Sequence, residues 1–166
     1  MKITKDALLE YARRKDYGET RIKTELPWLW LAIQELGVSE APGDLDNPRI
    51  IEYHKATSYG AKDDEVAWCS AFVNWCMKQA GYQRTGSAAA RSWLNYGDLL
   101  PEPEPGCIAV LWRGNPASWQ GHVGFYLLES SADHNSIYLL GGNQNDAVSV
   151  TTYPKDRVLA YRRPVK

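Results

Sequence analysis

The sequence predicts an α+β fold, with helices in the first half packed on an antiparallel sheet formed by the second half. Three observations carry this. Up to about residue 96, apolar residues recur at helical spacing. After the extended turn Pro101-Glu102-Pro103-Glu104-Pro105-Gly106 the period changes, and apolar or alternating runs of strand length follow. The breaks between those runs are short, as hairpins require, and helices followed by strands argue α+β rather than an alternating fold.

The elements follow in order. Thr4 to Lys15 carries Ala7, Leu8, Tyr11 and Ala12 among charges and reads as a short amphipathic helix with Thr4 or Asp6 near its cap. Tyr17 to Glu25 is polar and reads as a connector. Residues 1–24 are therefore expected to form an N-terminal helical appendage, and 25–166 the main domain. Pro27 opens a helix through Trp28, Leu31, Ala32, Glu35 and Leu36 that Gly37 ends. A Pro-, Gly- and Asn-containing loop covers 40–48, and Pro48 starts a short helix through Ile50, Ile51 and Tyr53. His54 on that helix is expected to be a solvated polar residue without a role. In the next helix Trp68, Phe72 and Trp75 share one spacing, and Cys69, Val73 and Cys76 another; Asp63, Asp64 and Glu65 precede it and Gly81 stops it. Ala88 to Tyr96 reads as a further helix. Strands are expected over Cys107 to Trp112, His122 to Leu128, Ile137 to Leu140, Val148 to Tyr153 and Val158 to Arg162.

Composition narrows the function. With 166 residues the chain can bury a sizeable core in one domain. A net charge of -1 speaks against a nucleic-acid patch or a polybasic membrane anchor. Seven Trp and ten Tyr against two Phe suit a groove for a polar substrate as well as an aromatic core. Lys2 and Lys5 have no apolar run behind them, so neither a signal peptide nor a membrane span is expected. Three cysteines do not pair evenly, which fits folding in a reducing cytoplasm.

Cys69 falls in or near the first turn of its helix, where unpaired N–H groups and the positive dipole end lower a cysteine pKa to roughly 3.5–7.5. A plain core cysteine is the competing reading. A disulfide to Cys76 is not available in an intact helix, since seven residues rise about 10.5 Å and bridged Cα atoms lie within about 7 Å. His122, at the start of a strand after Gly121, supplies the imidazole that a cysteine nucleophile needs. If the hairpin turns between Leu128 or Glu129 and Ile137, His122 lies opposite Asn143 or Gln144, either of which can orient the ring; Asn145 is more remote. A zinc site from Cys69, Cys76, Cys107 and His122 lacks a close-spaced cysteine pair, and no metal or other cofactor is expected.

These residues also carry a resemblance. Trp68-Cys69-Ser70-Ala71-Phe72-Val73, Pro105-Gly106 before a strand, Gly121-His122-Val123-Gly124-Phe125 and Leu140-Gly141-Gly142-Asn143-Gln144 resemble the papain-like cell-wall hydrolases of the NlpC and CHAP types, over about residues 27 to 164. The similarity is to a CHAP-like subgroup of prophage and bacterial genomes. It implies a papain-like core and cleavage of amide bonds in peptidoglycan peptides, with Cys69 as nucleophile, His122 as base and Asn143 as third residue; Gln144 is the alternative. The chain departs from NlpC patterns in Trp-Cys-Ser-Ala and in Cys107 after Pro-Gly. It departs from CHAP patterns in Gly141, where many members carry Glu.

The expected function is thus a peptidoglycan amidase or endopeptidase, acting as a phage lysin or an exported antibacterial effector. The alternative is a non-catalytic wall-binding or phage-structural module on the same fold. Trp68, Tyr59, Trp93 and Trp119 are expected to line the groove, with Trp75 in the core, and Arg91 to meet a substrate carboxylate. The expected partners are the wall peptide and, for a toxin, an immunity protein; the chain is expected to be a monomer. Synthesis in the cytoplasm and delivery to the wall or periplasm through a holin or a secretion machine complete the expectation.

Overall fold

The computed structural model describes residues 4–14 and 18–166. The side chain of Tyr11, and Lys15 and Tyr17 at the edges of two expected segments, lie outside the described residues. Helix α1 (Lys5–Arg14) starts where expected, with the Thr4 hydroxyl accepting from the Ala7 N–H at 3.2 Å. The expected connector is instead a helix, α2 (Glu19–Glu25). Its sequence shows no apolar stripe because it has one buried anchor, Ile22, and is otherwise supported by the Glu19–Lys23 and Arg21–Glu25 pairs one turn apart. Helix α3 (Pro27–Gln34) follows, and its Trp28 indole N–H donates to the Gly106 carbonyl at 2.7 Å, tying the helical half to the sheet half. Leu8, Leu9 and Ile22 join the same core as α3.

Helix α4 (Pro48–His54) is capped by the Asn47 side chain, which accepts from the Arg49 N–H. Helix α5 (Cys69–Gln79) is central: every residue from Cys69 to Met77 is buried. The loop entering α5 is pinned by Asp64, whose carboxylate accepts from the Ala41 and Asn47 N–H groups at 2.8 Å each. His54 lies beneath this loop with no exposed surface, so the expectation of a solvated residue is corrected. Ala90–Asn95 is a 3-10 helix rather than a longer α-helix.

The six strands are β1 (Asp98–Leu100), β2 (Ile108–Trp112), β3 (Gly121–Glu129), β4 (Ser136–Gly141), β5 (Ser149–Pro154) and β6 (Val158–Arg163). They form one sheet, ordered β1-β6-β2-β3-β4-β5, with every pairing antiparallel. The fold is therefore the expected α+β arrangement, with helices packed on an antiparallel sheet. Strand β1 escapes sequence reading because only Leu100 of its three residues is buried. Val110, Val123, Phe125 and Leu140 face the helices, while Ala109, Leu111, Tyr126, Ile137 and Leu139 form a second apolar cluster on the other face. Burial on both faces explains why β2 reads as a continuous apolar run. Among the described residues, no helix is long and apolar enough to cross a membrane.

One close approach brings the two halves of the site together. A Cβ on Gly142 would lie 2.5 Å from the Trp68 ring and 2.7 Å from the Phe72 Cβ. Glycine there lets the end of β4 press against the start of α5.

Candidate active site

Cys69 opens α5 directly after Trp68 and is buried, with 8% of its surface exposed. Burial pushes its thiol above the ordinary range. The Val123 and Ser70 backbone N–H groups and the charge of Arg113 favour the thiolate but do not outweigh the loss of solvent. This corrects the lowered pKa expected of a helix-start cysteine. The contact with the Val123 amide also places the sulfur beside the residue that follows His122. Among the described residues no hydrogen bond joins Cys69 to the His122 ring.

His122 is the second residue of β3, paired with Leu111 of β2. Its Nε2 lies 3.0 Å from Gln144 Oε1. The Gln144 amide nitrogen donates to the Ser149 carbonyl at 2.6 Å and the Leu139 carbonyl at 3.3 Å. With its N–H groups turned to two backbone acceptors, Gln144 presents its carbonyl to the imidazole. A carbonyl only accepts, so the ring proton sits on Nε2 and the lone pair on Nδ1. Burial depresses the His122 pKa to about 4, the charges of Arg157 and Arg113 act the same way, and Gln144 opposes them. The resting site therefore holds a neutral thiol and a neutral imidazole.

The structure separates the two residues between which the hairpin arithmetic was divided. Leu128 pairs with Tyr138, but beyond a bulge at Leu127 Phe125 pairs with Leu140. The register on the turn side of the bulge would carry Gln144 opposite His122; the register on the other side carries Asn143 there. Strand β4 ends at Gly141, however, and Asn143 takes a left-handed backbone with φ 55°. The turn sends the Asn143 side chain to Glu40, to whose carboxylate it donates at 3.3 Å, and brings Gln144 to His122 instead. The preference for Asn143 as the orienting residue is thus corrected in favour of Gln144. Gly141 makes this possible: a Cβ there would lie 2.9 Å from Gln144 Oε1. Position 141 has no side chain, and the Gln144 carbonyl fills that space.

The expected groove residues divide. Trp68 and Trp93 are wholly buried, with indole N–H groups donating to Glu40 at 2.7 Å and to Ser70 Oγ at 2.9 Å, so they are core residues and not groove walls. Trp75 is core, as expected. Tyr59 and Trp119 are exposed. The Arg91 guanidinium donates to the Gln120 and Pro116 carbonyls at 2.9 and 3.0 Å and braces the 113–120 loop. Sequence reading missed Tyr153, whose ring stacks on His122 with centroids 5.1 Å apart and planes at 27°. Burial raises the Tyr153 pKa to about 12, and Cys69 adds to the shift, so the hydroxyl stays protonated beside the sulfur. Only the strand was legible there; nothing in its alternation marks position 153 as a neighbour of His122. Among the described residues the only cluster of metal-ligating groups is Asp46, Asp63 and Asp64, which involves none of these residues.

No curated protein matches the chain. Among solved structures the chain is similar to a Staphylococcus aureus protein described as similar to a lipoprotein of the NLP/P60 family. The identity is 16% and the TM-score 0.39, over 96% of this chain and 61% of that one. The family model for the CHAP domain matches residues 61–143, half of the chain, including Cys69 and His122 and stopping just before Gln144. CHAP domains are typically cysteine- and histidine-dependent amidases or peptidases. With Cys69 at a helix start, His122 at a strand start and half of its length matched, the chain belongs to the CHAP domain family.

Proposed function

We propose that this CHAP domain is a cysteine amidase or endopeptidase that cuts amide bonds in peptidoglycan peptides. The observation that carries the reading is the Gln144 carbonyl on His122 Nε2. It fixes the ring as the tautomer whose Nδ1 can take a proton from the Cys69 thiol. As the Cys69 sulfur attacks the amide carbonyl, Nδ1 removes the thiol proton. The Cys69 backbone N–H, unpaired within the helix, faces the developing oxyanion. The imidazolium so formed protonates the departing amine, and the neutral ring then activates the water that releases the acyl group from sulfur. The gap between sulfur and imidazole is expected to close when substrate binds, as hydrogen bonds of empty sites commonly do.

The proposed setting is the cell wall, reached as a phage lysin or as an exported antibacterial effector, with an immunity protein as partner in the second case. The buried, raised thiol and, among the described residues, the lack of a hydrogen bond between Cys69 and His122 stand on the side of a non-catalytic wall-binding module. Mass spectrometry of peptidoglycan digests separates the two. The hydrolase reading predicts new amine and carboxyl termini with the native chain, with EDTA present, and none with Cys69→Ala. Binding to peptidoglycan without new termini, or activity lost on chelation and restored by zinc, overturns it. Directing the chain to the periplasm should lyse the expressing cells, and cytoplasmic expression should not.

A further inference from the structure

Beside His122 the structure gathers positive charge and leaves it without a counter-ion. Arg157 donates from Nε and Nη2 to the Trp112 carbonyl at 3.2 and 3.0 Å. That fixes its guanidinium over the Trp112 ring at 5.4 Å and over the Tyr153 ring at 5.6 Å, and Tyr153 is the ring that stacks on His122. Arg113 follows Trp112 at the end of β2; its N–H donates to the Gln120 carbonyl, so it stands across from the residues that lead into Gly121 and His122. The Arg113 side chain is exposed, and Arg91 braces the loop that carries it.

Among the described residues neither Arg113 nor Arg157 takes part in an ion pair. Asp156, adjacent to Arg157, is exposed and forms none either. Arg49 is neutralised by Glu35 and Glu52, Arg163 by Glu104 and Arg21 by Glu25, whereas Arg84, Arg91 and Arg162 bond to backbone carbonyls away from the His122 ring. The chain as a whole has a net charge of -1, so two unpaired cations at the histidine are a local arrangement and not a general basicity. Both disfavour the imidazolium that the reaction must pass through. An anion bound between them would remove that penalty while substrate is present. Arginine forks match a carboxylate, and Arg157 keeps Nη1 free after its bonds to Trp112.

We propose that Arg113 and Arg157 form a carboxylate subsite, so that the amide cut is one with a free carboxylate close by in the substrate peptide. This rests on the hydrolase reading for the reaction and deepens it for the substrate.

Two synthetic wall peptides, identical except that one has a free carboxylate next to the scissile amide and the other a carboxamide, test this. The native chain should show a kcat/KM higher on the carboxylate peptide by at least about tenfold, the worth of one charge-assisted hydrogen bond. Arg113→Gln should bring that ratio close to one, while Arg13→Gln, which removes the same charge from α1, should leave it unchanged. Equal kcat/KM on the two peptides, or a ratio insensitive to Arg113→Gln, overturns the subsite and leaves the hydrolase reading standing. Calorimetry on Cys69→Ala reads the subsite without turnover. Tighter binding of the carboxylate peptide, lost on adding Arg113→Gln, supports it; equal affinities, or no binding of either, overturn it. Selective binding with no cleavage by the native chain overturns the hydrolase reading alone.

Discussion

His54 and His122 are both buried histidines, and their surroundings differ in one respect that decides what each can do. His54, at the end of α4, has neither ring nitrogen in a hydrogen bond of normal geometry; the backbone carbonyls of Asp63 and Val66 are its nearest acceptors. His122 has the Gln144 carbonyl on Nε2. Burial lowers the pKa of both rings. Burial alone therefore does not distinguish a site from a packing residue. The distinction lies in a side-chain acceptor at hydrogen-bond distance, held by its own N–H bonds, which assigns the proton to one nitrogen and leaves the lone pair on the other.

The strongest way to break this comparison is to exchange the roles. His122→Ala should lower kcat by about 1000-fold or more, as loss of a base that acts together with a nucleophile does. His54→Leu should leave kcat within about threefold. Comparable losses of kcat in the two variants would place His54 in the machinery and end the distinction.

A smaller effect is expected at the acceptor. Gln144→Ala should cut kcat by roughly 10–1000-fold with little change in KM, the cost of a misplaced catalytic group. Asn143→Ala, whose side chain reaches Glu40, should stay close to native. Gly141→Ala should act like a mild Gln144→Ala, because the new methyl takes the space 2.9 Å from Gln144 Oε1. Steady-state kinetics on the three variants check the order; an Asn143→Ala loss larger than that of Gln144→Ala would restore the register in which Asn143 orients the ring.

These residues also mark how far the sequence could be read. The α+β order, α5 with Cys69 at its start, and β3 with His122 at its start were legible from the length and spacing of apolar runs between turn residues. Helix α2 was not, since a single buried Ile22 leaves no period to detect. The choice between Asn143 and Gln144 was not, because a bulge at Leu127 and the left-handed turn at Asn143 each move the register by local geometry that carries no hydrophobic signal. Nor was the pKa of Cys69: a helix start favours the thiolate, but burial of the sulfur, which depends on contacts across the fold, outweighs it. Trp68 and Trp93 were misread for a related reason, since composition does not tell a groove ring from one whose indole N–H is satisfied inside the core.

The comparison has a thermodynamic counterpart. His122 titrates near pH 4 when folded and near 6.5 when unfolded, so between these values the unfolded chain binds the extra proton. Stability from this group is complete above pH 6.5, falls as pH drops through the window, and is gone once pH is below the folded value. About 2 kcal/mol should be lost between pH 6.5 and about 5, above the range where most carboxylates titrate. The shift of His54 has the same sign and adds to the loss. Denaturant titrations of the native chain and of His122→Gln should show a shallower slope in the variant. An unchanged slope would mean that His122 is not buried as a neutral ring.

The most direct test reads the tautomer itself. In a nitrogen-15 spectrum of the histidine side chains near pH 7, His122 should show a protonated, pyrrole-like Nε2 and a bare, pyridine-like Nδ1, and Gln144→Ala should blur that assignment into a mixture. A proton on Nδ1, or on both nitrogens, would contradict the account, because the lone pair that must take the Cys69 proton would then be absent.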